Sequence, residues 1–199
     1  EPTDVLDAVP LIYASGPAAF EYVFKVSEEK TAQEFLKYVF VRQGSEFSYD
    51  NHTCMIGEDG YVIGIGAAFG SDRALGFTLA AVKYIFGFYG LWSGIKVIRQ
   101  GLAIEKIITS PKGATEVLVH LSIQPELRGR GFGSKLIYHL IEKAKLKNRE
   151  TASLDVSFEN PKAMFLYKRM GFEVTKENLS NLKNEFSNVA DHYKMHKHI

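Results

Sequence analysis

The chain is poor in cysteine, in charge imbalance and in long uncharged runs. Cys54 is its one cysteine among 199 residues, so no intrachain disulfide forms and a reducing compartment is the natural expectation. Lys and Arg number 24 against 23 Asp and Glu, a formal net charge of +1. That balance lacks the basic excess of a dedicated nucleic-acid binder, so no nucleic-acid partner is expected. The opening EPTDVLDAVP has neither the positive start nor the apolar core of a secretory signal, and a cytoplasmic protein is expected. The most apolar stretch, Ala74 to Ile104, is broken by Lys83, Lys96 and Arg99. A spanning helix needs about 20 mainly apolar residues, so this stretch reads as non-membrane. No internal repeat or low-complexity segment is visible. With 46% hydrophobic and 24% charged residues, the composition is that of a folded globular chain.

What is present is a sequence of alternating elements. GPAAFEYVFKVS and TAQEFLKYVFVRQ carry apolar residues at helical spacing, and Thr31 with Glu34 fits a capping box. Residues 52–69 read as a hairpin around Glu58-Asp59-Gly60. Ser71 to Ile108 reads as one or two aromatic-rich helices interrupted near Gly87 and Gly90. TEVLVHLSI is a strand, Gly133 to Lys147 a helix, ASLDVSF a strand, NPKAMFLYKRMGF a short helix, and DHYKMHKHI a final strand. Such alternation predicts an α/β or α+β fold with a mixed sheet, in a single domain over 1–199. Its parts are a helical N-terminal region (1–50), a helical insertion (71–108) and a core (114–172).

The densest chemical signal is RGRGFGSK, Arg128 to Lys135, where three glycines and three cations stand between a strand and a helix. Glycine amides entering a helix point at an anion, and the helix dipole adds to the attraction. A Walker loop fails because Ser134 precedes Lys135 and Leu136 follows it. A dinucleotide fingerprint fails because Gly129, Gly131 and Gly133 are spaced G-x-G-x-G. Arg128, Gly131 and Gly133 instead match [QR]-x-x-G-x-[GA]. Further on, Asn160, Ala163, Tyr167 and Gly171-Phe172 form N-x-x-A-x-x-x-Y-x-x-x-G-F. In these two motifs, over roughly Glu116 to Phe172, the chain resembles the GNAT acetyltransferase superfamily.

The resemblance implies a splayed mixed sheet flanked by helices, acetyl-CoA as cofactor, and acetyl transfer to a primary amine by direct attack. It implies coenzyme A contacts from Leu121, Ser122 and Ile123 on the strand, and from Arg128, Gly129, Arg130, Gly131, Phe132, Gly133 and Ser134 in the loop and helix start. Asn160, Ala163 and Tyr167 complete that set. Tyr167 matches the tyrosine that protonates the leaving thiolate, and Asp155 stands where some relatives carry a glutamate base. The acceptor, a small-molecule or peptide amine, is not carried over. A homodimer, a preference for longer acyl groups, and a non-catalytic acyl-CoA-binding or interaction module stay open as alternatives.

Other residues stand on pattern alone. Glu116 is a second candidate base. If the strand alternates, Val117, Val119, Leu121 and Ile123 share one face and His120 points away, as a packed or solvated histidine. His192, His196 and His198 share a face of the last strand, with no partner that completes a metal site. Cys54 reads as a core residue. About 45 residues, Gly70 to Ala114, stand where the family has a short turn. Their aromatics, Phe77, Tyr84, Phe86, Phe88, Tyr89 and Trp92, either pack the insertion down or line an acceptor pocket.

Overall fold

The computed structural model describes residues 1–199. Three helices open the chain: α1 (Val5–Ala14), α2 (Pro17–Phe24) and α3 (Ala32–Phe40). Thr31 caps α3 as its sequence predicts, its hydroxyl accepting from the Glu34 amide at 3.2 Å. The hairpin follows as β1 (His52–Ile56) and β2 (Val62–Gly70), paired antiparallel. The insertion is α4 (Ser71–Ile104), broken at Gly90, where φ is 74° and ψ is −174°. By length and composition alone α4 could cross a membrane. In this fold it lies against α2 and α3.

The core follows: β3 (Thr115–Ile123), α5 (Phe132–Leu146), β4 (Thr151–Ser157), α6 (Pro161–Arg169), β5 (Glu173–Asn178) and β6 (His192–His198). The six strands are ordered β1-β2-β3-β4-β6-β5, with β3 and β4 parallel and the other pairs antiparallel. The predicted mixed sheet with flanking helices is therefore observed. β5 was not expected. Glu173 to Glu177 are all exposed, so no apolar alternation marks them, and a charged edge strand of this kind is silent in the pattern.

Two apolar clusters form on this frame. One gathers α1–α3, parts of α4, and Val62 and Ile65 of β2. The other places Leu136, Ile137, Leu140 and Ile141 of α5 and Tyr167 of α6 against Leu118, Leu154, Val156 and Met195. Three of the insertion's six aromatics, Tyr84, Phe88 and Tyr89, serve the first. Phe88 and Tyr89 pack on Phe35, and the Tyr89 hydroxyl donates to the Phe24 carbonyl at 2.5 Å. Phe77 packs edge-on against Phe69. Trp92 is 83% exposed and borders a surface hollow of about 390 Å³ with Tyr22, Ile95 and Arg99. Cys54 is half-buried against the first cluster, and burial raises its thiol pKa.

Candidate active site

Strands β3 and β4 are partners only from Thr115, Glu116 and Val117 to Thr151, Ala152 and Ser153. Beyond these residues they part. From Leu118 to Ile123, β3 keeps its pairing with β2 but has no partner on its other edge. Backbone groups on that edge need partners from elsewhere. The expected splay is thus present, and Leu121, Ser122 and Ile123 line one side of it.

At the open end the chain turns through Pro125–Leu127 into the glycine loop. Gly129 and Gly131 have φ of 77° and 86°, a left-handed backbone that side chains disfavour. A Cβ at either would meet nothing within 4 Å, so the loop's main chain is open to a ligand. Gly131 is the N-cap of α5, with no side-chain cap and no acidic residue in the first turn. The amides of Phe132, Gly133 and Ser134 therefore begin a 15-residue helix without an internal acceptor. This is an anion cradle that fits a pyrophosphate. Arg128 Nε donates to the Ile123 carbonyl at 2.9 Å, tying the loop to the end of β3. Arg130 is exposed beside the cradle.

Asn160 caps α6 by accepting from the Ala163 amide at 3.1 Å, and so sets the register of the helix that carries Tyr167. Tyr167 is buried beside Phe172, and loss of hydration pushes its phenol up to about 12. The phenol is thus a protonated donor across the neutral range.

Several further candidates have partners that pattern alone does not show. Asp155 faces Lys194 across the β4–β6 pair, and Lys194 Nζ donates to its Oδ2 at 3.0 Å and to the Thr109 carbonyl at 3.1 Å. Burial raises the Asp155 pKa and Lys194 opposes that rise. The residue that stands where some relatives carry a glutamate base is thus half of a buried ion pair, and only its Oδ1 lacks a partner. Glu116 is fully buried and holds Lys147 at 2.5 Å and Arg149 at 3.0 Å, at the paired end of β3, away from the glycine loop. Its role is to anchor that end. The terminal histidines do not act as one group: His192 Nδ1 meets the Ala190 carbonyl at 2.9 Å and His198 Nδ1 the Glu150 carbonyl at 2.6 Å.

His120 points away from Leu121 and Ile123, as expected, and is a packed histidine. Between the Ala67–Val119 and Ile65–Ser122 pairs, β3 carries one residue more than β2. His120 sits in that bulge with φ of 55°. The alternation expected from Val117 to Ile123 breaks here: Leu118, Leu121 and Ile123 all pack into the α5 cluster. His120 turns to the N-terminal helices, its ring 5.9 Å from Phe20, 5.3 Å from Phe47 and 5.2 Å from His52. Sequence alternation missed the break in the period, because a bulge shifts it by one.

The family model described as Acetyltransferase (GNAT) family matches residues 19–172. The chain belongs to the GNAT acetyltransferase family. Within this family acetyl transfer from acetyl-CoA is the general reaction, and the GNAT chain described here is an acetyltransferase enzyme. A 51-residue stretch is 47% identical to an uncharacterised N-acetyltransferase of Methanocaldococcus jannaschii, covering 26% of this chain and 23% of that protein. Two solved structures superpose over nearly the whole chain. One, an acetyltransferase, has a TM-score of 0.67 at 21% identity, covering 100% of this chain and 96% of its own. The other, an N-acetyltransferase of Staphylococcus aureus Mu50, has a TM-score of 0.67 at 16% identity, with 99% and 97% covered. At those identities the likeness shows the fold alone.

Proposed function

We propose that this GNAT enzyme moves an acetyl group from acetyl-CoA to a primary amine by direct attack, with no covalent enzyme intermediate. The observation that carries this reading is the opening between β3 and β4, which ends at the uncapped start of α5. The amides of Gly129 to Ser134 would hold the pyrophosphate, and the free edge of Leu121 to Ile123 would hold the pantetheine arm. Bound there, acetyl-CoA supplies an acetyl thioester. A β3 amide would donate to the developing oxyanion, and preorganised donors of this kind are a large part of acyl-transfer catalysis. Tyr167 keeps its proton until a thiolate needs it. Asp155, pinned by Lys194, orients this side of the opening.

Thermal unfolding with and without acetyl-CoA tests the reading. At 100 times the dissociation constant the ligand should stabilise the fold by about 2.7 kcal/mol. For a domain of this size that is a rise of about 5–10 °C. Gly131→Glu, which puts a carboxylate in the cradle, should abolish the rise. No rise with acetyl-CoA or free CoA, in a folded protein, would sink the proposal.

A further inference from the structure

Three polar side chains meet at the β3 bulge, and none belongs to the glycine loop. His52 Nδ1 lies 2.9 Å from the Ser48 carbonyl, and His52 Nε2 lies 3.0 Å from His120 Nδ1. His120 Nε2 lies 3.8 Å from Glu46 Oε1. The hydrogens on this chain follow from elementary rules. A carbonyl only accepts, so His52 carries its hydrogen on Nδ1. A neutral His52 then has a bare Nε2, which must receive the hydrogen of His120 Nδ1. His120 is left with a bare Nε2 facing Glu46. Burial lowers both imidazoles, His52 to about 4 and His120 well below its usual value, so both rings are neutral at pH 7.

With Glu46 ionised, two acceptors face each other at 3.8 Å, too far for a hydrogen bond between them. Such a gap suits a group that donates N–H bonds to both. Glu46 is 35% exposed, which leaves a way in, and its main chain is fixed by the Asn51 amide bond to the Glu46 carbonyl at 3.1 Å. Lost hydration, with Glu105 nearby, pushes the Glu46 carboxyl up to about 7. Asp50 is the other charged group acting on the pair, through His52. Phe20 and Phe47 wall the site with apolar rings. The bulge itself lies on the part of β3 whose edge is open beside β4.

Resting on the acetyl-transfer reading above, we propose that His120 Nε2 and the Glu46 carboxylate hold and deprotonate the acceptor amine, with His52 as the positioning residue that fixes the His120 tautomer. The acceptor is a primary ammonium carried on an apolar or aromatic group. One proton passes from the ammonium to Glu46. A second passes from nitrogen to His120 Nε2 as the C–N bond forms and the thioester C–S bond breaks. The sulfur leaves with the electron pair of that bond and takes a proton from Tyr167. Tyr167 is then reprotonated, and one proton in total goes to solvent.

The test has two arms on the full chain. In the first, release of coenzyme A thiol is followed with acetyl-CoA and a panel of phenethylamine, hexylamine and a lysine peptide. His120→Asn should lose 10²–10⁴-fold in kcat/KM while keeping the wild-type thermal shift with acetyl-CoA. Glu46→Gln should raise KM for the amine. His52→Asn should lower kcat about tenfold and move the acidic limb of the pH profile, with KM for the amine little changed. Wild-type turnover and pH profile in His120→Asn would overturn the proposal. A wild-type protein without any acetyl-CoA shift would instead sink the acetyl-transfer reading. The second arm needs no acceptor and no variant: ¹⁵N NMR of the histidine rings should show His120 neutral, with hydrogen on Nδ1 and a bare Nε2, from pH 5 to 8. A charged His120, or hydrogen on Nε2 at pH 7, overturns it.

Discussion

At the residue scale, two titratable groups beside the first cluster, His52 and Glu46, make stability depend on pH in opposite directions. His52 is held near 4 in the fold against an ordinary 6.5. Between those values the unfolded chain binds a proton that the fold refuses. The contribution of His52 is therefore complete above pH 6.5 and is lost as pH falls toward 4, to a limit of about 3 kcal/mol. Glu46 is raised to about 7, so between pH 4.5 and 7 the fold binds the extra proton and stability falls as pH rises. The two slopes oppose each other over pH 4.5–6.5. Glu46→Gln removes one of them, and urea unfolding of this variant should show stability rising more steeply with pH across that window than in the wild type. Parallel profiles would show that Glu46 is not protonated in the fold near neutrality. None of this was legible in the sequence, where His52 and His120 are 68 residues apart. The Asn160 cap and the glycine turn into α5 were legible because each is made within a few residues of its own motif.

At the element scale, helices whose termini carry their own signals were read correctly, and elements shaped by distant partners were not. Asn160 before Pro161 announces α6, and Thr31 with Glu34 announces α3. The bulge in β3 has no such signal in its own residues, Val119-His120-Leu121; its mark is Gly66, which stands opposite on β2. The break in α4 did have one. Gly90 has φ of 74° and ψ of −174°, a region that is essentially glycine's alone. A Cβ there would meet nothing within 4 Å, so the cost of a side chain is backbone strain and not crowding. Gly90→Ala should destabilise the protein by about 1–3 kcal/mol in denaturant unfolding. An unchanged midpoint would mean that the two halves of α4 can straighten into one helix without loss of packing.

At the scale of the whole molecule, the N-terminal helices with the insertion and the α5–α6 side build separate cores. The sequence showed the second well, because its strand–loop–helix and strand–helix units are contiguous in the chain. It showed the first poorly, because that cluster is assembled from residues as distant as Ala8 and Val189. The division predicts how a ligand is felt. Hydrogen exchange reports local openings as well as global unfolding, and amides near a ligand lose their local openings when it binds. Among amides that exchange by local opening, acetyl-CoA should slow those of 118–135 and 160–167. Those of α1, α2 and α3 should be unchanged. Adding an amine that is acetylated, together with free CoA, should then slow exchange at 44–52, which carries Glu46, Ser48 and His52. Protection at 44–52 with acetyl-CoA alone would place the coenzyme, and not the acceptor, on that side of the sheet, and would require the two faces to exchange roles.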